Sequence, residues 1–213
     1  MDASVLRGVE KGLLGLTGEM PMSVEPPDPS DTFPVQIAIY PPTPSFWFWK
    51  IATVGACESE NPPFRIGGRT ERKMVRRRNE FIIFLPAEWG PEEDREKWDF
   101  HIALLKKAAA FHHETGGTVM LGSILPLEHD GKVQYAFMAY PHVFGPGTRF
   151  FFSCGPLRSW KVACLQVIPI SSEDAAAAID ETSSNTLYQK YYGVDPLTGM
   201  LQVRYHWEFQ FGK

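Results

Sequence analysis

Residues 79–89 read NEFIIFLPAEW, and this stretch decides the fold. It contains Phe81–Leu85, a short unbroken apolar run rich in β-branched and aromatic residues, which is typical of a central strand covered on both faces. Pro86 ends the run, because proline donates no hydrogen bond to a neighbouring strand and is excluded from the middle of a sheet. The spacing of apolar residues then changes to that of a helix. Residues 91–94 open this helix, and its apolar positions include Trp98, Ile102, Leu105 and Ala109. Together the strand and the helix predict the nucleus of a mixed α/β core.

Further apolar segments on both sides of this nucleus predict an α/β (α+β) fold in a single domain. The predicted architecture is a mixed, mainly antiparallel sheet of about six strands, packed by two main helices near residues 92–115 and 172–190. The other segments that read as strands are 35–40, 46–54, 118–125, 134–140, 150–153 and 161–170. Asp130-Gly131 lies between two of them and is a common signal for a hairpin turn.

The two ends of the chain differ from its middle. Four apolar residues from Val5 to Leu16 share one face of a predicted helix, and three glycines weaken that helix, so it either frays or docks only on the folded body. Residues 21–34 contain five prolines and predict an extended linker. Residues 201–211 alternate between apolar and polar and predict one long strand. The predicted organisation is an N-terminal segment with a Pro-rich linker (1–34), a main domain (35–192) and a C-terminal turn and strand (193–213).

The composition is that of an ordinary globular protein, with 44% apolar and 22% charged residues among 213. No apolar run approaches the ~20 residues that cross a bilayer, and the N-terminus lacks the pattern of a signal peptide. Cys57, Cys154 and Cys164 show no CxxC spacing, so we expect reduced thiols in a cytoplasmic protein without membrane association. The histidines lack ligand spacing, so we expect neither a metal nor another cofactor.

The charge of the chain is unevenly distributed. The formal net charge is −4, but residues 65–78 hold seven basic residues and one acidic residue, Glu71. The rest of the chain holds 14 basic and 24 acidic residues, since the totals are 21 and 25. Such an uneven distribution of charge steers association with a partner whose surface carries the opposite charge. The basic segment is therefore either a solvated loop without function or a docking patch for an acidic protein or peptide. Nucleic-acid binding is disfavoured, because the acidic remainder repels phosphates.

A second candidate for a partner contact is the aromatic run 46–49, FWFW. One side of this run is expected in the core, and consecutive aromatic residues leave the other side exposed, where they form an interface hot spot. The predicted partner-binding residues are Trp47, Trp49, Arg72, Lys73, Arg76, Arg77 and Arg78. The apolar face of the C-terminal strand is buried either on the domain or against a partner.

A catalytic alternative rests on Cys57, which follows a strand that ends at Gly55. His101, His112 and His113 lie on the predicted helix 92–115, where one of them would act as the base of a Cys/His hydrolase. The sequence offers no third, orienting group for such a pair. We therefore predict no catalytic residues, and we keep two alternatives: the Cys57 hydrolase, and nucleic-acid binding through residues 65–78.

Several ordered blocks resemble the suppressor of fused domain. They are TVGACESENPP (53–63), RNEFIIFLPAEW (78–89), the helical block 98–109, LGSILP (121–126) and VACLQVIPISSED (162–174). The resemblance covers roughly residues 35–192. Its most specific parts are the block 80–89 and the block 167–170 with the acidic residues that follow it.

This resemblance implies a mixed α/β protein without known catalysis. Eukaryotic members of the family clamp an extended peptide of a zinc-finger transcription factor between two domains, and many single-domain bacterial members resemble immunity proteins that block a toxin. Here Gly122-Ser123 stands where the family has a Gly-His pair, the part after Tyr192 does not match, and a second domain is missing, so the clamp is not carried over. The predicted function is a non-catalytic protein-binding domain, an immunity-type or regulatory adaptor that occludes a partner protein. The oligomeric state stays open.

Overall fold

A computed structural model of the protein describes residues 2–62, 65–66, 69–70, 78–144, 149–178, 187, 190, 192–194 and 201–203. The helices in these ranges are α1 (Ala3–Thr17), α2 (Arg95–Thr115) and α3 (Ser172–Ala177). The strands are β1 (Ser23–Glu25), β2 (Gln36–Tyr40), β3 (Phe48–Val54), β4 (Arg65–Ile66), β5 (Arg69–Thr70), β6 (Arg78–Pro86), β7 (Ile124–His129), β8 (Lys132–Ala139), β9 (Phe151–Cys154), β10 (Trp160–Ile170), β11 (Tyr192–Val194) and β12 (Leu201–Val203).

Eight of the described strands form one mixed sheet. Its order is β1-β2-β3-β6-β10-β8-β7, and β9 pairs with the first part of β10. Strands β6 and β10 are parallel, and the other described pairs are antiparallel. Two short pairs, β4–β5 and β11–β12, stand apart from this sheet. The predicted mixed, mainly antiparallel sheet is confirmed, with more strands than the six predicted.

Strand β6 lies inside the sheet, between β3 and β10. Ile83 is opposite Ile51 of β3, and Phe81 is opposite Leu165 of β10. Residues 79–85 are all buried. The continuous apolar run therefore does form a central strand, because a strand covered on both faces buries every side chain rather than alternate ones.

One long helix covers each face of the sheet. Trp98 and Leu105 of α2 share a core cluster with Ile83 of β6. Val9 of α1 lies in a different cluster with Ile82, the neighbouring residue of β6. Successive side chains of a strand point to opposite faces, so α1 and α2 lie on opposite sides of the sheet. None of the helices in the described ranges is long and apolar enough to cross a bilayer.

Helix α1 docks on the sheet, which decides between the two outcomes left open for it. A Cβ added to Gly8 would lie 2.8 Å from the Cα of Cys154, and one added to Gly12 would lie 2.5 Å from Cδ2 of Phe152. The glycines lower helix propensity, but they also let α1 approach β9 more closely than larger residues allow. The apolar face of the helix is buried on the sheet: Val5, Val9, Leu13 and Leu16.

Several predicted boundaries shift. The linker 21–34 contains the edge strand β1, which pairs with β2. Pro26 and Pro27 follow it directly, which is compatible with an edge position because only one side of such a strand is paired. The strand predicted at 118–125 begins only at Ile124, because Gly122 has φ 84°, outside the strand region. Asp94 caps α2 by accepting a hydrogen bond from the backbone N–H of Lys97, so residues 92–94 precede this helix.

The predictions for the last third of the chain are tested only in part. The helix predicted at 172–190 is the six-residue α3, which ends at Ala177, and Leu187 and Lys190 are helical again. Of the strand predicted at 201–211, residues 201–203 form β12 and pair with β11, and residues 204–211 lie outside the described ranges. The boundary predicted at 192/193 falls at the start of β11 and stays a prediction.

Candidate partner-binding surface

Trp47 exposes the largest share of its surface among the aromatic residues 46–49, with 67% accessible to solvent. It follows a tight turn in which Thr43 and Phe46 form an isolated bridge. Its indole Nε1 donates a hydrogen bond of 2.9 Å to the carbonyl oxygen of Pro44. The ring is therefore presented to solvent and is also held by its own turn.

Trp49 lies on the same side of the chain as Trp47. Phe46 and Phe48 contact each other with 5.7 Å between ring centroids, so they occupy the opposite side. The ring of Trp49 is partly buried and meets the buried ring of Trp98 edge-on at 5.2 Å. Both sides of the run therefore contact the interior, through Phe48 on one side and Trp49 on the other, and the exposed aromatic surface that was predicted is carried by Trp47. Binding by the two tryptophans stays a prediction.

The turn Ala87–Trp89, which follows β6, borders the same surface. Trp49 donates a hydrogen bond of 3.1 Å from Nε1 to the carbonyl oxygen of Ala87. The ammonium of Lys97 lies 4.7 Å from the ring centroid of the half-buried Trp89, which is a cation–π contact, and also pairs with Asp94. We call three side chains the tryptophan rim: Trp47, Trp49 and Trp89.

The tryptophan rim lies beside an acidic segment, residues 87–99, which contains six acidic residues and two basic ones. Arg95 pairs with Asp99, and Lys97 pairs with Asp94. The other four carboxylates have no ion-pair partner among the described residues: Glu88, Glu92, Glu93 and Glu96. The surface around the rim is therefore negatively charged.

The negative surface continues along α2. A shallow cleft of about 400 Å³ lies between α2 and the hairpin formed by β7 and β8. Its charged lining consists of Glu96, Asp99, Asp130 and Lys132, with His129 beside them. Three carboxylates against one ammonium give this cleft the same sign as the tryptophan rim.

Five predicted partner-binding residues are basic, and one of them lies within the described residues. Arg78 begins β6, whereas the others lie outside those ranges: Arg72, Lys73, Arg76 and Arg77. The basic segment therefore joins β6 at one end, and the tryptophan rim lies at the other end, beyond Pro86. At about 3.3 Å per residue, the two ends of β6 are about 26 Å apart. The two ends of β6 therefore connect, along the sequence, to segments of opposite net charge.

Arg78 makes several contacts within the chain. Its guanidinium donates hydrogen bonds to the carbonyl oxygens of Cys57 and Glu58 at 2.8 and 3.0 Å. It also donates to the carboxylate of Glu60 at 3.0 Å and stacks 3.9 Å from the ring centroid of Trp160. These contacts fasten the turn after β3 to β10. Whether Arg78 also contacts a partner stays a prediction.

Residues 31–197 match the family model of the suppressor of fused protein. The chain belongs to the suppressor of fused family. This match contains all of the domain predicted at 35–192 and confirms the resemblance, and it extends beyond Tyr192 to residue 197, where no match was predicted. No match is found among curated proteins.

Solved structures show the suppressor of fused fold at low sequence identity. A suppressor of fused homolog from Neisseria gonorrhoeae superimposes with a TM-score of 0.55 and 14% identity, over 89% of this chain and 90% of that one. The suppressor of fused structure from Drosophila gives 0.53 and 16%, over 89% of this chain and 49% of that one. A Sufu-Fu complex gives 0.53 and 14%, over 89% and 86%. The chain therefore spans about half the length of the Drosophila protein.

The thiol of Cys57 is buried in the suppressor of fused domain. Its sulfur lies 3.7 Å from the sulfur of Cys154. The hydrogen bond with Cys154, and then burial, raise the pKa of Cys57, so this group stays a protonated thiol. Cys164 is buried as well, and all three cysteines are free. A buried, protonated thiol is a poor nucleophile.

The three histidines proposed as bases make other contacts. His101 is buried, donates a hydrogen bond from Nδ1–H to the carbonyl oxygen of Lys97 at 2.5 Å, and has its pKa lowered to about 4 by burial. His112 forms a hydrogen bond with the hydroxyl of Ser59, and its pKa is also lowered by burial. His113 packs against an aromatic ring from the N-terminal segment. None of these described contacts joins a histidine to the Cys57 thiol, on which the hydrolase alternative depends.

Sequence reasoning missed the role of Glu80. This residue is buried in β6, and its carboxylate accepts hydrogen bonds from the backbone N–H groups of Gly55, Ala56 and Cys57 at 3.0, 3.3 and 3.1 Å. Burial raises its pKa to about 6, and the hydrogen bonds oppose that rise. A carboxylate inside the block RNEFIIFLP was the available signal, because buried acids need partners.

The buried Lys50 was also missed. It lies in the apolar strand β3, and its ammonium is 2.6 Å from the carboxylate of Glu19 and 3.1 Å from the carbonyl oxygen of Pro41. The rings of Phe46 and Phe48 lie 5.4 and 5.7 Å away. No group of three or more metal-ligating side chains occurs in the part of the chain that the structure describes.

Proposed function

We propose that the chain is a non-catalytic protein-binding domain that acts as an immunity-type or regulatory adaptor and occludes a surface of its partner protein. Membership of the suppressor of fused family supports this proposal, as does the fold shared with a Sufu-Fu complex. The observation that carries it is Trp47, a ring that is 67% exposed and held in place by a hydrogen bond. Exposed, ordered tryptophans are typical of the energetic centre of protein interfaces.

The mechanism in this proposal is occlusion without a covalent step. The protonated thiol of Cys57 and the separate contacts of the α2 histidines support a function without a Cys/His nucleophile. The free cysteines support the proposed cytoplasmic location, because unpaired thiols are typical of reducing compartments.

An acidic partner of the basic segment remains part of the proposal. Charge steers the encounter of oppositely charged surfaces and mainly changes the association rate. Reversing the charge of Arg76 and Arg77 is therefore expected to slow association with an acidic partner, measured by stopped-flow fluorescence at low salt. An unchanged association rate would favour the solvated loop without function.

The experiment that tests the proposed function starts with capture of a partner from the source cells by the tagged chain. The purified partner is then titrated by calorimetry with the wild type and with two single variants. Trp47→Ala is expected to weaken binding, and Val133→Ala, a control at a side chain that is 55% exposed, is expected to bind like the wild type.

The variant Cys57→Ala separates binding from catalysis. The proposal expects this variant, once it is shown to be folded, to bind the partner as the wild type does. Conversion of the partner by the wild type but not by Cys57→Ala would overturn the proposal, since occlusion leaves the partner chemically unchanged.

A further inference from the structure

The tryptophan rim combines exposed aromatic surface with carboxylates that have no ion-pair partner among the described residues. We infer that it binds a lysine- or arginine-rich segment of the partner protein, with one cationic side chain on the ring of Trp47 and others on the surrounding carboxylates. This inference rests on the proposed function and names the chemistry of the partner. The segment that contacts the rim is therefore basic, whereas the surface expected to contact residues 65–78 is acidic.

The chain already contains the same interaction in its own rim. The ammonium of Lys97 lies 4.7 Å from the ring centroid of Trp89 and pairs with the carboxylate of Asp94. A cation is thus held between an indole face and an acid on this surface. Trp47 has no such cation among the described residues, and its ring is the most accessible of the rim.

Trp47 is ordered before a partner arrives. The hydrogen bond of 2.9 Å from Nε1 to Pro44 fixes the edge of the indole and leaves its face to solvent. An ordered ring loses little conformational entropy on binding, so more of the contact energy appears as affinity. Indole is also the aromatic group that attracts cations most strongly.

Strand pairing and the turn after β6 bring Glu88 and Glu93 to the rim. Phe48 pairs with Pro86 across β3 and β6, which brings Trp47 to the turn Ala87–Trp89 and therefore to Glu88. Glu93 and Trp49 both flank Gly90. A basic segment lying across the rim would thus contact both indole rings and carboxylates that have no ion-pair partner among the described residues.

The sign of this charge argues against two other occupants. An acidic segment would face like charge around the whole rim, and like-charge contacts weaken an interface. A symmetric dimer centred on the rim would place the same acidic patch against itself, because residues on the two-fold axis meet their own copies. The polar cleft along α2 has the same sign, so a longer basic segment finds further carboxylates there.

Two fluorescent peptides of equal length test the inference, one of alternating lysine and glycine and one of alternating glutamate and glycine. Fluorescence anisotropy is measured with the purified chain at low and at physiological ionic strength. The lysine peptide is expected to bind more tightly than the glutamate peptide, and Trp47→Ala is expected to weaken it by about fivefold or more. Val133→Ala is the apolar control and is expected to bind the peptide unchanged. Circular dichroism establishes that each variant is folded.

A matched pair of charge reversals separates the rim from the overall charge. The rim variant carries Glu88→Lys, Glu92→Lys and Glu93→Lys. The control variant has the same net charge and carries three substitutions at exposed positions away from the rim: Glu10→Lys, Glu114→Lys and Glu128→Lys. The rim variant is expected to lose about tenfold in affinity for the lysine peptide, and the control variant about twofold at most.

Several outcomes would overturn the inference. They are equal weakening by both reversals, tighter binding of the glutamate peptide, or a wild-type dimer that Trp47→Ala converts to a monomer in sedimentation. The calorimetric titration with the purified partner distinguishes failure of the inference from failure of the proposed function. If Trp47→Ala weakens binding of the partner but the charge reversal at the rim leaves it unchanged, the inference fails and the proposed function stands. If no partner binds the wild type, the proposed function fails.

Discussion

The side-chain hydroxyl of Thr53 donates a hydrogen bond of 2.6 Å to the carboxylate of Glu80 in the interior of the sheet. The same hydroxyl accepts a hydrogen bond of 2.8 Å from the backbone N–H of Phe81. This pair joins the end of β3 to the start of β6. The turn after β3 then closes on the same carboxylate through three backbone N–H groups. One acidic side chain therefore organises the connection from which the basic segment departs.

We predict that Glu80→Gln destabilises the protein by about 2–4 kcal/mol. The amide keeps one acceptor oxygen, and its NH₂ group faces backbone N–H groups that also need an acceptor. Equilibrium unfolding in urea measures the change, with the exposed Glu114→Gln as a control that is expected to stay within about 0.5 kcal/mol of the wild type. An unchanged unfolding midpoint for Glu80→Gln would contradict the role given to this carboxylate.

The stability that Glu80 contributes is expected to depend on pH. Burial raises its pKa in the folded state from 4.5 to about 6, so the folded state holds the proton more tightly than the unfolded state does. The contribution is therefore fully present below pH 4.5 and falls by about 2 kcal/mol as the pH rises to about 6. In a pH series of urea unfolding, the advantage of the wild type over Glu80→Gln should shrink across this window. An advantage that grows across it would show that the folded state lowers this pKa.

The glycines of α1 provide a prediction with an internal control. Gly8→Ala and Gly12→Ala should each lower the free energy of unfolding by about 1–3 kcal/mol, because the added methyl group overlaps β9. Gly15 has no atom within 4 Å of an added Cβ, so Gly15→Ala should raise the free energy by about 0.5–1 kcal/mol through helix propensity. Thermal unfolding ranks the three variants. If all three variants were more stable than the wild type, helix propensity rather than close packing would decide the effect of these glycines.

The elements that could be predicted from the sequence are those decided by neighbouring residues. The apolar run 81–85 and its change of period after Pro86 are local, and both β6 and α2 appear where these signals place them. The turn at Asp130-Gly131 is local as well, and both residues have positive φ, 48° and 71°. The glycines of α1 could not be interpreted in this way, because the residues they approach belong to β9, far along the chain.

The candidate site was predictable in the same limited sense. The run of consecutive aromatic residues predicted exposed aromatic surface, and Trp47 is exposed. The acidic surroundings of the rim were not predicted, although the six acidic residues at 87–99 can be read from the sequence. They become relevant only through the pairing of Phe48 with Pro86, which brings two distant segments together. Similarly, the local charge run did not show that Arg78 has partners within the chain.

Arg78→Lys tests how much the contacts of Arg78 within the chain contribute to stability. Lysine keeps the charge, but it cannot form the same fork of hydrogen bonds to Cys57, Glu58 and Glu60 or stack as a plane on Trp160. We predict a loss of about 1–3 kcal/mol in the free energy of unfolding. Urea unfolding measures it. A variant as stable as the wild type would show that the charge of Arg78 matters more than its contacts.

The buried pair of Lys50 and Glu19 gives the last prediction. Lys50 is fully buried and Glu19 is 24% exposed, and their charged atoms are 2.6 Å apart. Glu19→Gln leaves an ammonium in the interior without its counter-ion and should cost about 3–5 kcal/mol. Lys50→Met should cost less, because methionine fills the space between the rings of Phe46 and Phe48 and the remaining carboxylate still reaches water.

A double-mutant cycle decides whether this asymmetry exists. Combining Lys50→Met with Glu19→Gln should restore much of the stability that Glu19→Gln alone loses, because the uncompensated charge is then absent. Urea unfolding of the two single variants and the double variant measures the coupling. Additive losses would mean that Lys50 gains its stability from the carbonyl of Pro41 and the aromatic rings, and that Glu19 contributes little to holding this ammonium in the fold.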